Sequence, residues 1–311
     1  MRVGWTICGA LFTCMMVPGA GPGAQAPSAA PAKIAVAHRG ASAYAPEHTK
    51  AAYELAVAQK ADYVEQDLAI TRDGAIICLH DVSLERTTDV EARFPDRASA
   101  DAATGVKRWL AADFTLAEIK TLDAGSWFDP KFAGEKIPTW QEAVAIVGGR
   151  AGLYPELKSP ALYAGRKVDM VAIVASELKR GGFDRPAPAG ARPPLVLQSF
   201  DADALRALAK TLPDVPRVLL IDPRMTTEWT TEAGLKEART FATGIGPHKS
   251  IILGKPELVA AAHAAGLTVT PYTFRSTDTG RFGDVTAEMS FFLSTLGVDA
   301  LFTDNPDRFP R

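Results

Sequence analysis

Cysteine is scarce in this sequence: there are three in 311 residues, and two of them, Cys8 and Cys14, fall in the first apolar run. With Cys78 alone beyond that run, no disulfide can form within the rest of the chain. Cys78 stands between Ile77 and Leu79 with no thiolate-stabilising pattern around it, so it reads as a small buried hydrophobe rather than a nucleophile. Net charge is nearly absent too, formally −2. That excludes the overall basic field of a nucleic-acid binder, while a local pocket for a small anion stays open. No GxGxxG and no GxxxxGK(S/T) phosphate loop is present, which argues against a nucleotide cofactor.

Long apolar runs are also missing. The stretch from Val3 to Val17, behind Met1 and Arg2, is broken by glycine and passes into a Gly/Pro/Ala segment reaching Pro31. Too short for a comfortable membrane span, it reads as a secretory signal peptide and leader over residues 1–31. Ala24-Gln25-Ala26 has the small-x-small form of a cleavage site, although Pro27 would hinder cutting there. The expectation is an exported protein, periplasmic or secreted, with no stable membrane span in its mature form.

What remains is an ordinary globular composition, 47% apolar and 23% charged, able to bury a large core. Short aliphatic runs alternate with amphipathic stretches. The strand candidates are Ile34–His38, Tyr63–Leu68, Ile76–His80, Leu153–Leu157, Leu195–Phe200, Arg217–Ile221, Leu267–Phe274 and Ala300–Thr303. Apolar residues at helical spacing mark Thr49–Gln59, Pro138–Val147, Asp203–Ala209 and Pro256–Ala265. Such alternation predicts a parallel α/β sheet, and roughly 280 residues after the leader suit one closed (β/α)₈ TIM barrel. Thr243–Gly246 is a weaker strand, giving nine candidates for eight places, so one is expected to be wrong or irregular.

The link from Asp67 to His80 is too short for a comfortable crossover helix and contains the turn pair Asp73-Gly74, so the barrel should be distorted here. If that turn closes a hairpin, Asp67 lies opposite His80; if the strands are parallel, both still sit near strand ends. The polar stretch 82–138, with Trp109, Phe114, Trp127 and Phe128 scattered through it, reads as a small insertion covering the mouth of a single barrel domain, residues 32–311.

Ionisable residues gather where apolar strands finish: His38-Arg39, Glu65 and Asp67, His80-Asp81, and Glu156 with Lys158. Barrel active sites are built at those ends. Each alone has a bland explanation, but so many ionisable groups in apolar strands cost free energy unless they meet a metal or substrate. Glu65 and Asp67, two apart on a strand, share a face. With Glu156 they offer three hard carboxylates suited to Ca²⁺ or Mg²⁺. Zinc is disfavoured, because no cysteine–histidine cluster exists and two histidines serve better as proton carriers. Arg39 and Lys158 add fixed positive charge that selects a phosphoryl oxyanion over a sugar.

These residues resemble the glycerophosphodiester phosphodiesterase family, particularly its bacterial periplasmic members. The likeness begins at His38-Arg39-Gly40-Ala41-Ser42 and runs through Pro46-Glu47-His48-Thr49, Ala61-Asp62-Tyr63-Val64-Glu65-Gln66-Asp67, Leu79-His80-Asp81 and Pro155-Glu156-Leu157-Lys158. It continues in Leu197-Gln198-Ser199-Phe200-Asp201, Gly244-Ile245-Gly246-Pro247, Pro271-Tyr272-Thr273 and Leu301-Phe302-Thr303-Asp304. The resemblance implies a distorted barrel, a divalent cation, typically calcium, held by Glu65, Asp67 and Glu156, and a catalytic pair His38 and His80. By the same analogy His38 is the base and His80 the acid. It also implies that small glycerophosphodiesters such as glycerophosphocholine and glycerophosphoethanolamine are cleaved to sn-glycerol 3-phosphate and an alcohol. His48 stands where many members carry Asn. Glu47 is expected to orient Arg39 or a histidine, and Gln198, Phe200 and Tyr272 to line the substrate pocket. His248 and His263 have no such context. Two rivals stay open: a phospholipase D-like enzyme acting on lysolipids or sphingolipids, and a binding protein that captures glycerophosphodiesters without cleaving them.

Overall fold

In the strand Tyr63–Ile70 all eight residues are buried, as befits a parallel strand covered on both faces. It belongs to a computed structural model that describes residues 1–6, 32–100 and 104–311. The leader expectation, with Cys8, Cys14 and Ala24-Gln25-Ala26, lies outside the described residues except for residues 1–6, which form no helix or strand. Met1–Ala32 and Lys33–Arg311 are separate units; in the described residues the second carries all the regular structure.

The strands that build and flank the barrel are β1 (Ile34–Ala37), β2 (Tyr63–Ile70), β3 (Ile76–Cys78), β4 (Gly152–Leu157), β5 (Leu197–Ser199), β6 (Arg217–Ile221), β7 (Gly244–Pro247), β8 (Thr268–Val269) and β9 (Ala300–Thr303). All but β3 pair in parallel, in the order β8-β7-β6-β5-β4-β2-β1-β9. The ring closes between β8 and β9 through Asp299 N to Val269 O at 3.0 Å, Phe302 N to Pro271 O at 3.0 Å and Phe274 N to Phe302 O at 2.8 Å. The expected Leu267–Phe274 strand is thus regular only at its start and irregular where it meets β9.

The surplus strand among the nine is Ile76–His80. It forms a hairpin, β3 antiparallel to β2, and stays out of the ring, whereas the weak candidate near Thr243 is a true barrel strand, β7. The hairpin register also corrects the expected pairing: Leu68 faces Cys78, and Leu79 N donates to Asp67 O at 2.8 Å, so Leu79 rather than His80 lies opposite Asp67.

Helices follow the strands where caps and periodicity place them. Thr49 caps α1 (Lys50–Ala58), accepting from Ala52 N, and Thr139 with Glu142 forms a capping box at α2 (Trp140–Val147). The other expected helices are Ala202–Thr211, capped by Asp201, and Glu257–Ala264. Within 82–138 the elements are short. Leu84, Val90, Trp109, Phe114, Ile119, Leu122 and Ile137 form a core of their own with Ala69, Ile77 and Leu79 of the hairpin.

Strand parity then decides what enters the barrel. Val36, Tyr63, Tyr154, Val196, Val218 and Phe302 form one apolar cluster in the barrel interior. Two residues further along, on the same faces, stand His38, Glu65, Glu156, Gln198 and Asp304, with Leu220 of the apolar cluster beside them. The polar set therefore rests on an apolar floor at the C-terminal end of the ring.

Candidate active site

A cavity of about 250 Å³ opens there, lined by His38, Arg39, Glu65, Asp67, His80, Glu156, Lys158, Gln198, Phe200 and Tyr272. Every expected site residue but Glu47 thus borders one space. Register explains the convergence of the acids: Asp67 pairs with Glu156 across β2 and β4, and Glu156 with Gln198 across β4 and β5.

The three carboxylates are 1%, 1% and 6% exposed for Glu65, Asp67 and Glu156. Burial, reinforced by Asp67, drives the Glu65 carboxyl well above the usual range, and burial pushes Glu156 up to about 8. Burial would raise Asp67 as well, but Lys158 and His48 hold it well below the ordinary carboxylate value. Lys158 Nζ is 3.1 Å from Glu156 Oε1 and 3.7 Å from Asp67 Oδ1. Asp67 Oδ1 is buried with no hydrogen-bond partner, and Glu65 Oε1 has only a long contact, 3.4 Å, with Gln198. Ligand atoms of His48, Glu65 and Asp67 lie within 4.8 Å of one another. His48 itself is engaged on both nitrogens, Nε2 to Asp67 at 2.8 Å and Nδ1 to the Tyr53 hydroxyl at 2.8 Å. It is therefore placed to orient Asp67. A carboxylate oxygen with no hydrogen bond and another with only a long one, crowded in a buried acidic cluster, fit a hard divalent cation.

His38 and His80 each rest on an aspartate. His38 Nδ1 is 2.7 Å from Asp304 Oδ1, and His80 Nδ1 is 2.7 Å from Asp81 Oδ1. Burial, aided by Arg39, lowers His38 to about 4, so its ring is neutral at pH 7. An aspartate acceptor at Nδ1 places the proton there and leaves Nε2 with a lone pair.

Arg39 turns through a left-handed backbone conformation, φ 58°, directly after β1. Its amide donates to Glu65 Oε2 at 2.6 Å, Nε lies 3.5 Å from Asp67 Oδ2, and Nη1 reaches both oxygens of Glu47 at 3.1 Å. Gly40 follows with φ 87°; a Cβ there would sit 2.7 Å from the Ala52 carbonyl carbon, so glycine lets this turn pack on α1. Glu47 does not line the cavity; it contacts Arg39 from behind.

The far wall is aromatic. Phe200 and Tyr272 meet edge to face at 5.8 Å, and His248 likewise meets Tyr272 edge to face at 5.4 Å. The bland expectation for His248 is thereby overturned, since it lines the cavity with Arg275 and Asp278. His263 conforms to it, half-exposed on Asp299. Sequence reasoning marked Asp81 among the strand-end ionisable groups without giving it a role, and it gave none to Asp304 or His48. Asp304 directly follows the end of β9 and could have been found by the same strand-end rule; His48 sits in a loop that only folding brings to Asp67.

Comparison with known proteins agrees with this geometry. Residues 38–308 match the glycerophosphoryl diester phosphodiesterase family. A glycerophosphodiester phosphodiesterase of Bacillus subtilis is 34% identical over 89% of this chain and 85% of its own, and one of Haemophilus influenzae is 31% identical over 88% of each. Among solved structures, an Oleispira antarctica phosphodiesterase in complex with the product sn-glycerol 3-phosphate superposes with a TM-score of 0.68 at 27% identity, covering 88% of this chain and 94% of that one. A glycerophosphodiester phosphodiesterase from Agrobacterium tumefaciens gives 0.66 at 28% identity, covering 89% and 99%. With this cavity at the C-terminal end of a (β/α)₈ barrel, the chain belongs to the glycerophosphoryl diester phosphodiesterase family and is an enzyme that hydrolyses glycerophosphodiesters.

Proposed function

We propose that hydrolysis proceeds by acid–base catalysis between His38 and His80, on a phosphodiester gripped by Arg39 and Lys158, and yields sn-glycerol 3-phosphate and an alcohol. The observation that carries this reading is that both histidines border one cavity, each with Nδ1 on an aspartate. Neutral His38 takes the proton of the nucleophile at Nε2, and its aspartate offsets the charge it gains; water as nucleophile gives the products directly, whereas the glycerol 2-hydroxyl gives a cyclic phosphate that a water then opens to sn-glycerol 3-phosphate. His80 delivers a proton to the departing alkoxide. Arg39 and Lys158 counter phosphoryl charge in a site where Tyr272 and Phe200 limit water.

Glu65, Asp67 and Glu156 would hold the divalent cation, calcium in preference to magnesium, with His48 fixing Asp67. A cation bound there supplies positive charge for the phosphoryl oxygens. Calcium is favoured because a carboxylate site open to substrate tolerates its variable coordination, whereas magnesium demands tighter geometry. Gln198 supports Glu65, and Phe200 and Tyr272 form the wall for the organic part of the substrate. The segment 82–138 is read as the insertion that braces the β3 end of this mouth.

Among the described residues no helix is long and apolar enough to cross a membrane; export to the periplasm, or secretion, is inferred from the leader pattern and is testable by N-terminal sequencing of the protein recovered outside the cytoplasm. Catalysis is tested by incubation with glycerophosphocholine: choline and sn-glycerol 3-phosphate should appear together, and capture without turnover would favour the binding-protein alternative.

A further inference from the structure

Arg86 borders no part of the cavity and is 41% exposed, yet its guanidinium joins two of the arms that build the site. Nε donates to Asp81 Oδ2 at 2.5 Å, while Nη1 and Nη2 donate to the two oxygens of Glu47 at 3.0 and 2.6 Å. The other oxygen of Asp81 holds His80 Nδ1, and the same Glu47 carboxylate holds Arg39. A single exposed ion pair contributes little. Three charge-assisted contacts from one guanidinium are different, because only its fork satisfies both carboxylates at once, and a lysine ammonium on one point cannot.

We propose that Arg86 is a positioning residue that sets the placement of His80, through Asp81, relative to Arg39, through Glu47. The two groups come from separate chain segments, one after the hairpin and one after β1, and no backbone ladder joins those segments at this level. Arg86 supplies the missing connection. It makes the aspartate at His80 a fixed acceptor and keeps Glu47 facing Arg39. The placement of His80 matters through the acid role proposed above, on which this inference rests.

The test compares the purified full chain with Arg86→Ala, Arg86→Lys and Arg86→Gln on two substrates: glycerophosphocholine, and a glycerol phosphodiester with a p-nitrophenol leaving group. Arg86→Ala should lose about 10–100-fold in kcat on glycerophosphocholine, as removal of a group that orients a functional side chain does, and much less on the nitrophenyl substrate. Added guanidinium ion, below denaturing concentration, should restore part of the loss, and Arg86→Lys should restore less than the free ion does. A purely structural staple would give equal losses on both substrates, no guanidinium rescue and a lowered melting temperature; that pattern overturns the proposal, as does unchanged activity. Should Arg86→Ala melt early, Arg86→Gln carries the same comparison. His80→Ala run beside them separates the two ideas: if it shows leaving-group dependence and Arg86→Ala does not, Arg86 loses its role while the acid assignment stands. If His80→Ala shows none, the acid assignment falls, and guanidinium rescue alone decides for or against Arg86.

Discussion

His38 and Asp304 are separated by nearly the whole barrel in sequence, yet Nδ1 and Oδ1 meet at 2.7 Å because β1 and β9 are neighbours in the closed ring. Asp304 holds the proton on Nδ1 and leaves Nε2 as the acceptor. An asparagine there can offer its N–H instead and impose the opposite tautomer. Asp304→Asn should therefore lose on the order of 10²-fold or more in kcat with the fold intact. Steady-state kinetics beside a thermal melt checks this; activity within a factor of about two of wild type would remove Asp304 from the mechanism.

The two histidines are separable by leaving group. A p-nitrophenolate departs without protonation, so His80→Ala should be far less impaired on a nitrophenyl diester than on glycerophosphocholine, and His38→Ala should show no such relief. On the natural substrate each variant should lose on the order of 10²–10⁴-fold. Relief of His38→Ala alone would exchange the two roles.

The barrel and most of its site were legible in the sequence, because both rest on local periodicity. Alternation in β2 put Glu65 and Asp67 on one face, and strand ends marked His38 and Glu156. What local pattern cannot convey is pairing. Ile76–Cys78 has the composition of a barrel strand, and only its tight Asp73-Gly74 turn forces it antiparallel and out of the ring. The glycines of β7, which weakened that strand on paper, stand where a Cβ at Gly246 would come within 2.7 Å of Leu220 in the barrel interior. Likewise Arg86 reaches Glu47 and His248 meets Tyr272 only once the chain is folded, although each also has a local partner, Asp81 and Ser250.

Acidity should govern cation binding. Burial holds Glu156 protonated up to about pH 8 in the absence of a cation, and Glu65 shifts in the same direction. A raised folded-state value means that this contribution to stability is present below the ordinary carboxylate range and is lost as pH rises toward 8. Cation binding needs the deprotonated carboxylates and so grows over the same interval. Calcium should raise the melting temperature more near pH 8 than at about pH 5. A rise equal at both would remove Glu156 from the ligand set.

Selectivity should follow the glycerophosphate part of the substrate rather than the head group. The cavity of about 250 Å³ suits a phosphodiester with a small polyol. Glycerophosphocholine, glycerophosphoethanolamine and glycerophosphoglycerol should all be cleaved, with intact phospholipids untouched. Preferential turnover of lysophosphatidylcholine or sphingomyelin would support the phospholipase D-like alternative instead.

The measurement closest to the central claim is the release of sn-glycerol 3-phosphate from glycerophosphocholine by metal-stripped protein, before and after calcium is added, for the wild type and for Glu65→Gln. Turnover should vanish on chelation and return with calcium in the wild type, return less with magnesium, and fail to return in Glu65→Gln. Full activity of the wild type in excess chelator, or full calcium-restored activity of Glu65→Gln, would contradict a cation held by Glu65, Asp67 and Glu156.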